Sequence, residues 1–377
     1  MKILILSCDT GEGHNSAGKA VKEAAELKGH TVEMLDMFLL SGKGTSHAVA
    51  GAYIGIVKHI PFFFGFLYKL GMLISSAKRK SPVYYANTLL GKKLAAYIEE
   101  QHFDLVVTPH LYPAETMTYM KKKELLHIPA IAVGTDYTCI PFWEETNLDY
   151  YIIPHEDLIP EYVKRGVPKE KLLPYGIPVG QSFCSHQPEN IARQQLHLPP
   201  DVPIFLVMSG SMGFGKLPFF AAELALRCHN KEHIVIICGN NTRAKKLLQR
   251  EFRFHRRVHI IGYTTLVSAY MDACNVIYTK PGGLTSTEAL VKNIPIVHTA
   301  PIPGCETANL KFFRTRHLSV SSKSLSKQIE LGKILIENET LRKQMSDAQQ
   351  KEGKPDAAMN IINLLERLQS ESYLYEG

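Results

Sequence analysis

Between Asp36 and Glu99 the sequence has no acidic residue, while eight Lys or Arg occupy the same span: Lys43, Lys58, Lys69, Lys78, Arg79, Lys80, Lys92 and Lys93. A charge run is usually a solvated face, but this one is interleaved with apolar and aromatic residues. Seven cysteines (Cys8, Cys139, Cys184, Cys228, Cys238, Cys274, Cys305) stand singly, without a C-x-x-C pair or a histidine at zinc-finger spacing. That excludes a disulfide scaffold or structural zinc site and fits a reducing cytoplasm. No stretch reaches the roughly 18 to 20 uninterrupted apolar residues of a spanning helix. A charged-then-apolar leader is also missing, so no signal peptide is expected. D-x-D triplets are absent as well.

What is present is the composition of a globular protein: 377 residues, 45% hydrophobic, formal charge +7 and pI near 8.9. The length calls for two domains, and the mild basicity alone argues only weakly for an anionic partner. Strand-length apolar runs alternate with helical-period segments, the pattern of parallel α/β architecture. The expected strands are 2–7, 31–36, 104–109, 129–135, 150–154, 203–209, 233–239, 258–262, 275–279 and 294–298, in two groups of five. A Pro- and Gly-rich hinge at 173–190 separates the groups. The expected fold is therefore two Rossmann-like, doubly wound domains with a cleft between them and ligands at the carboxyl ends of the strands. The domains are expected at 1–178 and 179–354. Residues 355–377 form an amphipathic helix, apolar at 358, 361, 362, 365 and 368, that must dock somewhere.

The stretch "DTGEGHNSAGKA" (9–20) admits two readings. From Gly13 it nearly spells a P-loop, with Ala20 where the magnesium-binding hydroxyl belongs. But Gly13 lies too far behind the strand, and Lys19 falls on the polar face of the following helix. The other reading is a glycine turn presenting His14, whose imidazole titrates near neutral pH and can accept a proton. A histidine that merely packs locally fits as well, and the loop alone does not decide.

The second half is more informative. "TKPGGLTSTEAL" (279–290) follows a strand and opens a helix, offering free N–H groups and a positive helix end to a phosphate or diphosphate. Glu288, near the first turn, can accept from ribose hydroxyls. A second glycine loop, "SGSMGFGK" (209–216), can close over the same diphosphate. Each is a weak signal; together, in one domain and in order, they point to a nucleotide diphosphate site.

"GEGHNSA", "TDYTCIPFW" (135–143), "GYTTLVSAYMDACNVIYTKPGGLTSTEAL" (262–290) and "PIPGCETANL" (301–310) together resemble the family 28 glycosyltransferases. The match is to the processive diacylglycerol glucosyltransferases and monogalactosyldiacylglycerol synthases. The resemblance implies a GT-B fold, a lipid acceptor in the N-terminal domain, a UDP-sugar in the C-terminal one, and a last helix crossing back to the N-terminal domain. It implies that His14 is the catalytic base or part of the acceptor site. Asp136 is a secondary candidate, and Glu12 stands beside the base. Ser211, Gly213 and Gly239 would belong to the UDP-sugar site, and Gly262 and Tyr263 would hold uracil through backbone atoms. Lys280, Gly282, Gly283, Thr285 and Ser286 would surround the phosphates, Glu288 the ribose, and Glu306 and Asn309 the hexose. Two departures matter. Cys305 replaces the family's usual glutamine, which leaves the sugar open, and the first loop reads "GEGH", which adds Glu12.

Without a D-x-D triplet the expectation is an inverting displacement requiring no cofactor or metal, with departing UDP stabilised by backbone N–H groups and the helix end. The segment 54–80 is expected to lie on an anionic membrane surface through Phe62, Phe63, Phe64, Phe66, Lys69, Lys78, Arg79 and Lys80, with a buried helical hairpin as the alternative. The expected location is the cytoplasm, peripheral on the inner face of the cell membrane. The expected partners are a UDP-sugar, a diacylglycerol or glycolipid acceptor and that surface, not nucleic acid. The rivals are a transferase of N-acetylglucosamine to another lipid-linked acceptor and a non-catalytic nucleotide-sugar or lipid binder.

Overall fold

The computed structural model describes residues 1–8, 12–42, 80–208, 217–228 and 231–375, with 68, 70, 71 and 73–75. Phe62, Phe63, Phe64, Phe66, Lys69, Lys78 and Arg79 of the expected membrane segment lie outside this set, as do Ser211 and Gly213. Two compact units result. The first comprises Met1–Gln181, Pro303–Cys305 and Lys354–Gly377, the second Ser182–Ile302 and Glu306–Gly353.

The first unit carries β1 (Lys2–Ser7), β2 (Thr31–Asp36), β3 (Leu105–Thr108), β4 (Ala130–Val133), β5 (Tyr150–Ile152) and β6 (Leu172–Leu173). They form one parallel sheet in the order β2-β1-β3-β4-β5-β6. The second unit carries β7 (Ile204–Met208), β8 (His233–Ile237), β9 (Val258–Ile261), β10 (Val276–Thr279), β11 (Ile296–His298) and β12 (Val320–Ser321). These are again parallel, ordered β12-β11-β10-β7-β8-β9. All ten expected strands are present, but each sheet has a sixth, β6 and β12, which the two groups of five omitted. Both sheets reverse their strand order beside their first strand, between β1 and β3 and between β7 and β10. At such switch points the loops after the two strands diverge to opposite faces and leave a crevice at the carboxyl edge.

Six helices carry the candidate site residues or pack beside them: α1 (Glu12–Leu27), α2 (Leu111–Lys122), α3 (Thr242–Glu251), α4 (Gly283–Val291), α5 (Cys305–Thr315) and α6 (Ala357–Tyr375). Ala17, Gly18, Ala20, Val21, Ala24 and Ala25 form the buried face of α1, and small residues let it lie close to the sheet. A Cβ at Gly18 would stand 3.1 Å from the Met34 Cε and 3.2 Å from the Ile5 Cγ2, so any larger residue there would require those side chains to give way by a few tenths of an ångström. Lys19 is exposed, and with α1 already under way at Glu12 the P-loop reading fails. Gly13 is likewise a helical residue and not a turn. The apolar face of α6, with Ile361, Ile362 and Leu365 fully buried, completes the first unit's core against Val21, Ala24 and Ala25 of α1. His30 and Glu366 tie the end of α1 to α6 at 2.9 Å.

Three carboxylates are buried in the first unit, Glu115 on α2 and Glu144 and Glu145 in the turn at 143–145. Glu115 accepts from Asn87 Nδ2 at 2.5 Å, Glu145 from the Ser81 N–H at 2.8 Å, and Glu144 pairs with Arg165. Burial pushes the Glu115 carboxyl up to about 8, against the Asn87 hydrogen bond that favours ionisation. Lys80, expected at the membrane, instead donates to the Glu145 carbonyl and lies 5.2 Å from the Tyr84 ring centroid. Burial lowers its pKa. Among the described residues no helix is long and apolar enough to cross a membrane.

Candidate active site

In the first unit, three loops at the carboxyl edge converge on one imidazole. His14 lies in the first turn of α1, just after β1. Its Nδ1 is 2.9 Å from the carbonyl oxygen of Pro109, one residue beyond β3, and 3.0 Å from Thr135 Oγ1, beyond β4. A carbonyl only accepts, so Nδ1 carries the proton and Nε2 the lone pair. Burial lowers the His14 pKa, opposed by the Asp136 carboxylate and the Pro109 contact. At neutral pH the ring is therefore uncharged, with Nε2 able to take up a proton.

The neighbouring carboxylate is Asp136; Glu12, the first residue of α1, is not among the groups that shift His14. The sequence reading missed His110, which follows "TP" at the end of β3 and caps α2. Its ring centroid lies 4.6 Å from that of His14 at 66°, edge to face. Its Nδ1 accepts from the Tyr112 N–H at 3.2 Å. Burial, then the adjacent His14, hold its pKa well below the usual histidine value.

In the second unit, Lys280, Pro281 and Gly282 turn from β10 into α4. Gly282 occupies the N-cap position, and no side chain caps the helix. The Gly282 N–H closes the turn on Lys280 O at 2.8 Å, and the Ser286 N–H returns to Gly282 O at 3.1 Å. The earlier N–H groups of the helix have no intrahelical partner, which suits a phosphate. Gly239, after β8, has φ +54°, and Gly262, after β9, lies against the Lys245 amine. Tyr263 is exposed.

Glu288 departs from the expected position, since it lies in the second turn of α4 and only 9% of it is exposed. Burial pushes its carboxyl up to about 8. At neutral pH it is mostly protonated and can donate as well as accept.

Two expected ligand contacts are corrected. Ser286 is fully buried and bonds His298 Nε2 at 3.0 Å, while the His298 Nδ1 meets Ser319 Oγ at 2.9 Å. The helix phase turns Ser286 into the core and leaves Thr285, half-buried, as its neighbour towards the surface. Asn309 on α5 is also fully buried, and its amide donates to Pro281 O at 3.0 Å. It holds the glycine turn from beneath and does not reach outward for a hexose.

Glu306 stands between these roles. Its Oε1 meets Lys280 Nζ at 2.5 Å and its Oε2 accepts from the Ile302 N–H at 2.8 Å. A Cβ at Gly282 would stand 4.0 Å from that Oε1, so the carboxylate borders the turn. Lys280 is thus ion-paired, which leaves only part of its charge for any anion at the turn. Among the described residues no group of three or more His, Cys, Asp or Glu is placed to hold a metal ion.

Comparisons with known proteins bear on the fold and on the kind of protein this chain is similar to. Residues 14–179, beginning at His14, match the family model described as monogalactosyldiacylglycerol (MGDG) synthase. The whole chain aligns at 27% identity with 95% of a processive diacylglycerol beta-glucosyltransferase of Staphylococcus saprophyticus. At 26% identity, 98% of it aligns with 81% of a probable chloroplastic monogalactosyldiacylglycerol synthase 2 of rice, Oryza sativa. Among solved structures, MurG of Acinetobacter baumannii superposes over 97% of this chain and 99% of its own, with TM-score 0.64 and 15% identity. Over nearly its whole length the chain is similar to diacylglycerol glucosyltransferases and monogalactosyldiacylglycerol synthases. Its fold is GT-B, and the sites at β1 and β10 are the two switch points of that fold.

Proposed function

We propose that the protein is a UDP-sugar-dependent hexosyltransferase acting on a diacylglycerol-type lipid at the cytoplasmic face of a membrane, by an inverting displacement that needs no metal. The observation that carries this reading is the fixed tautomer of His14. With Nδ1–H held by Pro109 O, Nε2 accepts the proton of the lipid hydroxyl as that oxygen attacks the anomeric carbon. The bond from the anomeric carbon to the diphosphate oxygen breaks, and the departing UDP carries the negative charge. The uncapped N-terminus of α4 is suited to that charge, acting through backbone N–H groups that need no reorganisation. The missing D-x-D triplet supports a metal-free route. The diacylglycerol class of acceptor follows the names of the relatives.

A lipid-linked acceptor of the lipid II type, with UDP-N-acetylglucosamine as donor, is the second reading, favoured by the structural likeness to MurG. The test is an assay of purified protein with diacylglycerol in mixed micelles against UDP-glucose, UDP-galactose and UDP-N-acetylglucosamine, reading UDP release and product mass. A glycosylated diacylglycerol is expected. Its yield should fall on the order of 10²- to 10⁴-fold in His14→Ala with UDP affinity retained. UDP release that ignores diacylglycerol, or near-normal turnover in that variant, would overturn the proposal.

A further inference from the structure

Residues 242–257 hold seven Lys or Arg (Arg243, Lys245, Lys246, Arg250, Arg253, Arg256, Arg257) against one acid, Glu251. This is a local excess of six in a chain whose total excess is seven. The segment is α3 and the turn that leads from it into β9. Leu248 and Phe252, one helical turn apart, are its buried anchors in the second unit's core. That phase leaves Arg243, Lys246, Leu247 and Arg250 exposed on the outer face of α3, and Arg253 to Arg257 exposed on the turn. Lys245 stands apart against Gly262. Arg243, Lys246, Arg250, Arg253 and Arg256 form no ion pair with any described residue. Such an accumulation of like charge repels itself and opposes folding unless an external anion relieves it.

Two apolar side chains share the charged face. Phe254 is 83% exposed and Leu247 48%. The turn presenting Phe254 has a defined backbone, with the His255 N–H on Phe252 O at 2.9 Å and the Val258 N–H on His255 O at 3.2 Å. The Arg253 guanidinium lies 4.6 Å from the Phe254 ring centroid and covers one face.

We infer that α3 and the turn 252–257 are a membrane-docking surface of the second unit, fitting an interface of anionic phospholipid headgroups into which Phe254 inserts. Both halves of the chemistry are needed for this choice. Clustered cations meet the lipid phosphates, and an exposed aromatic gains by leaving water at the acyl boundary. A nucleic acid would use the charge but would find one face of the lone aromatic already covered. An acidic protein would leave Phe254 without an apolar partner unless it supplied one. These residues lie elsewhere in the sequence than the 54–80 segment, and the inference goes beyond the proposed transfer reaction.

The test is co-sedimentation of the full chain with vesicles of phosphatidylcholine alone and of phosphatidylcholine mixed with phosphatidylglycerol. Each basic residue near an anionic surface accounts for about fivefold in partitioning, so Arg250→Gln/Arg253→Gln/Arg256→Gln should weaken binding to the anionic vesicles on the order of a hundredfold. Phe254→Ser should weaken it at unchanged charge and leave the salt dependence intact. Both variants should melt as the parent does and keep the parent's activity towards micelle-dispersed acceptor, which reports on the proposed activity separately. Parent-like partitioning of either folded variant overturns the inference. So does loss of single-stranded RNA binding in the triple variant with vesicle binding unchanged.

Discussion

His14 Nδ1 and the carbonyl oxygen of Pro109 stand 2.9 Å apart, joining the first turn of α1 to the end of β3 across 95 residues of sequence. The contact makes the imidazole a base of one tautomer, because the other tautomer would aim the Nδ1 lone pair at a carbonyl lone pair, and a ring flip would replace the N–H by a C–H. Asp136 opposes the effect of burial on the same ring, so the two set the pH at which the base is lost.

The reaction rate should therefore rise with pH through a His14 limb below the ordinary histidine value of about 6.5 and then level off, since the base works unprotonated. Asp136→Asn removes a group that raises the His14 pKa, so the limb should move to lower pH. A pH profile of kcat/KM for both proteins measures this. A limb that stays in place or moves upward would separate Asp136 from the base.

Ser286 and Thr285 are neighbours on α4 with opposite expected behaviour. Ser286→Ala leaves His298 Nε2 without its hydroxyl and should lower stability by about 1–3 kcal/mol while UDP affinity stays unchanged. Thr285→Ala should do the reverse, weakening UDP with little effect on melting. Thermal melts and calorimetric titration with UDP distinguish the two. Unchanged stability with weakened UDP binding in Ser286→Ala would restore the serine to the phosphate site.

Glu115 and Glu288 both have carboxyl groups pushed up to about 8 by burial. A raised folded value means that the native state favours the neutral acid. Its stabilisation is complete below the unfolded value near 4.3 and is lost as pH rises through about 8. The unliganded protein should thus lose stability between about pH 5 and 9, and Glu115→Gln, which keeps an acceptor for Asn87, should reduce that loss by up to a few kcal/mol. His298 acts at the other end: burial holds it down at about 3, so its share of stability fades as pH falls below about 6.5. Melting temperature against pH, parent beside variant, reads the slope directly. An equal alkaline slope in the two would show that Glu115 ionises without cost.

The strands were legible because buried parallel strands read as apolar runs, whereas β6 and β12, two residues each, carry no run at all. His14 was legible from its place behind β1. Pro109, His110 and Thr135 were not, because they join it only through the strand order β2-β1-β3-β4, which the order of the chain does not reveal. Ser286 and Asn309 were misread for a related reason. A polar residue in a glycine-rich motif suggests a ligand, but the phase of a helix decides whether its partner is a substrate or the core. Here the partners are His298 and Pro281. Glu288 lay in the right helix, one turn later than expected.

The docking of α6 on α1 has a consequence for the order of synthesis. Residues 358–365, translated more than 300 positions after it, fill the core beside the helix that carries His14. Until they emerge, Val21, Ala24 and Ala25 of α1 lack their cover, so the first unit stays unfinished while the second is being translated. A chain cut short before Ala357 would therefore lose packing beside a base more than 300 positions upstream.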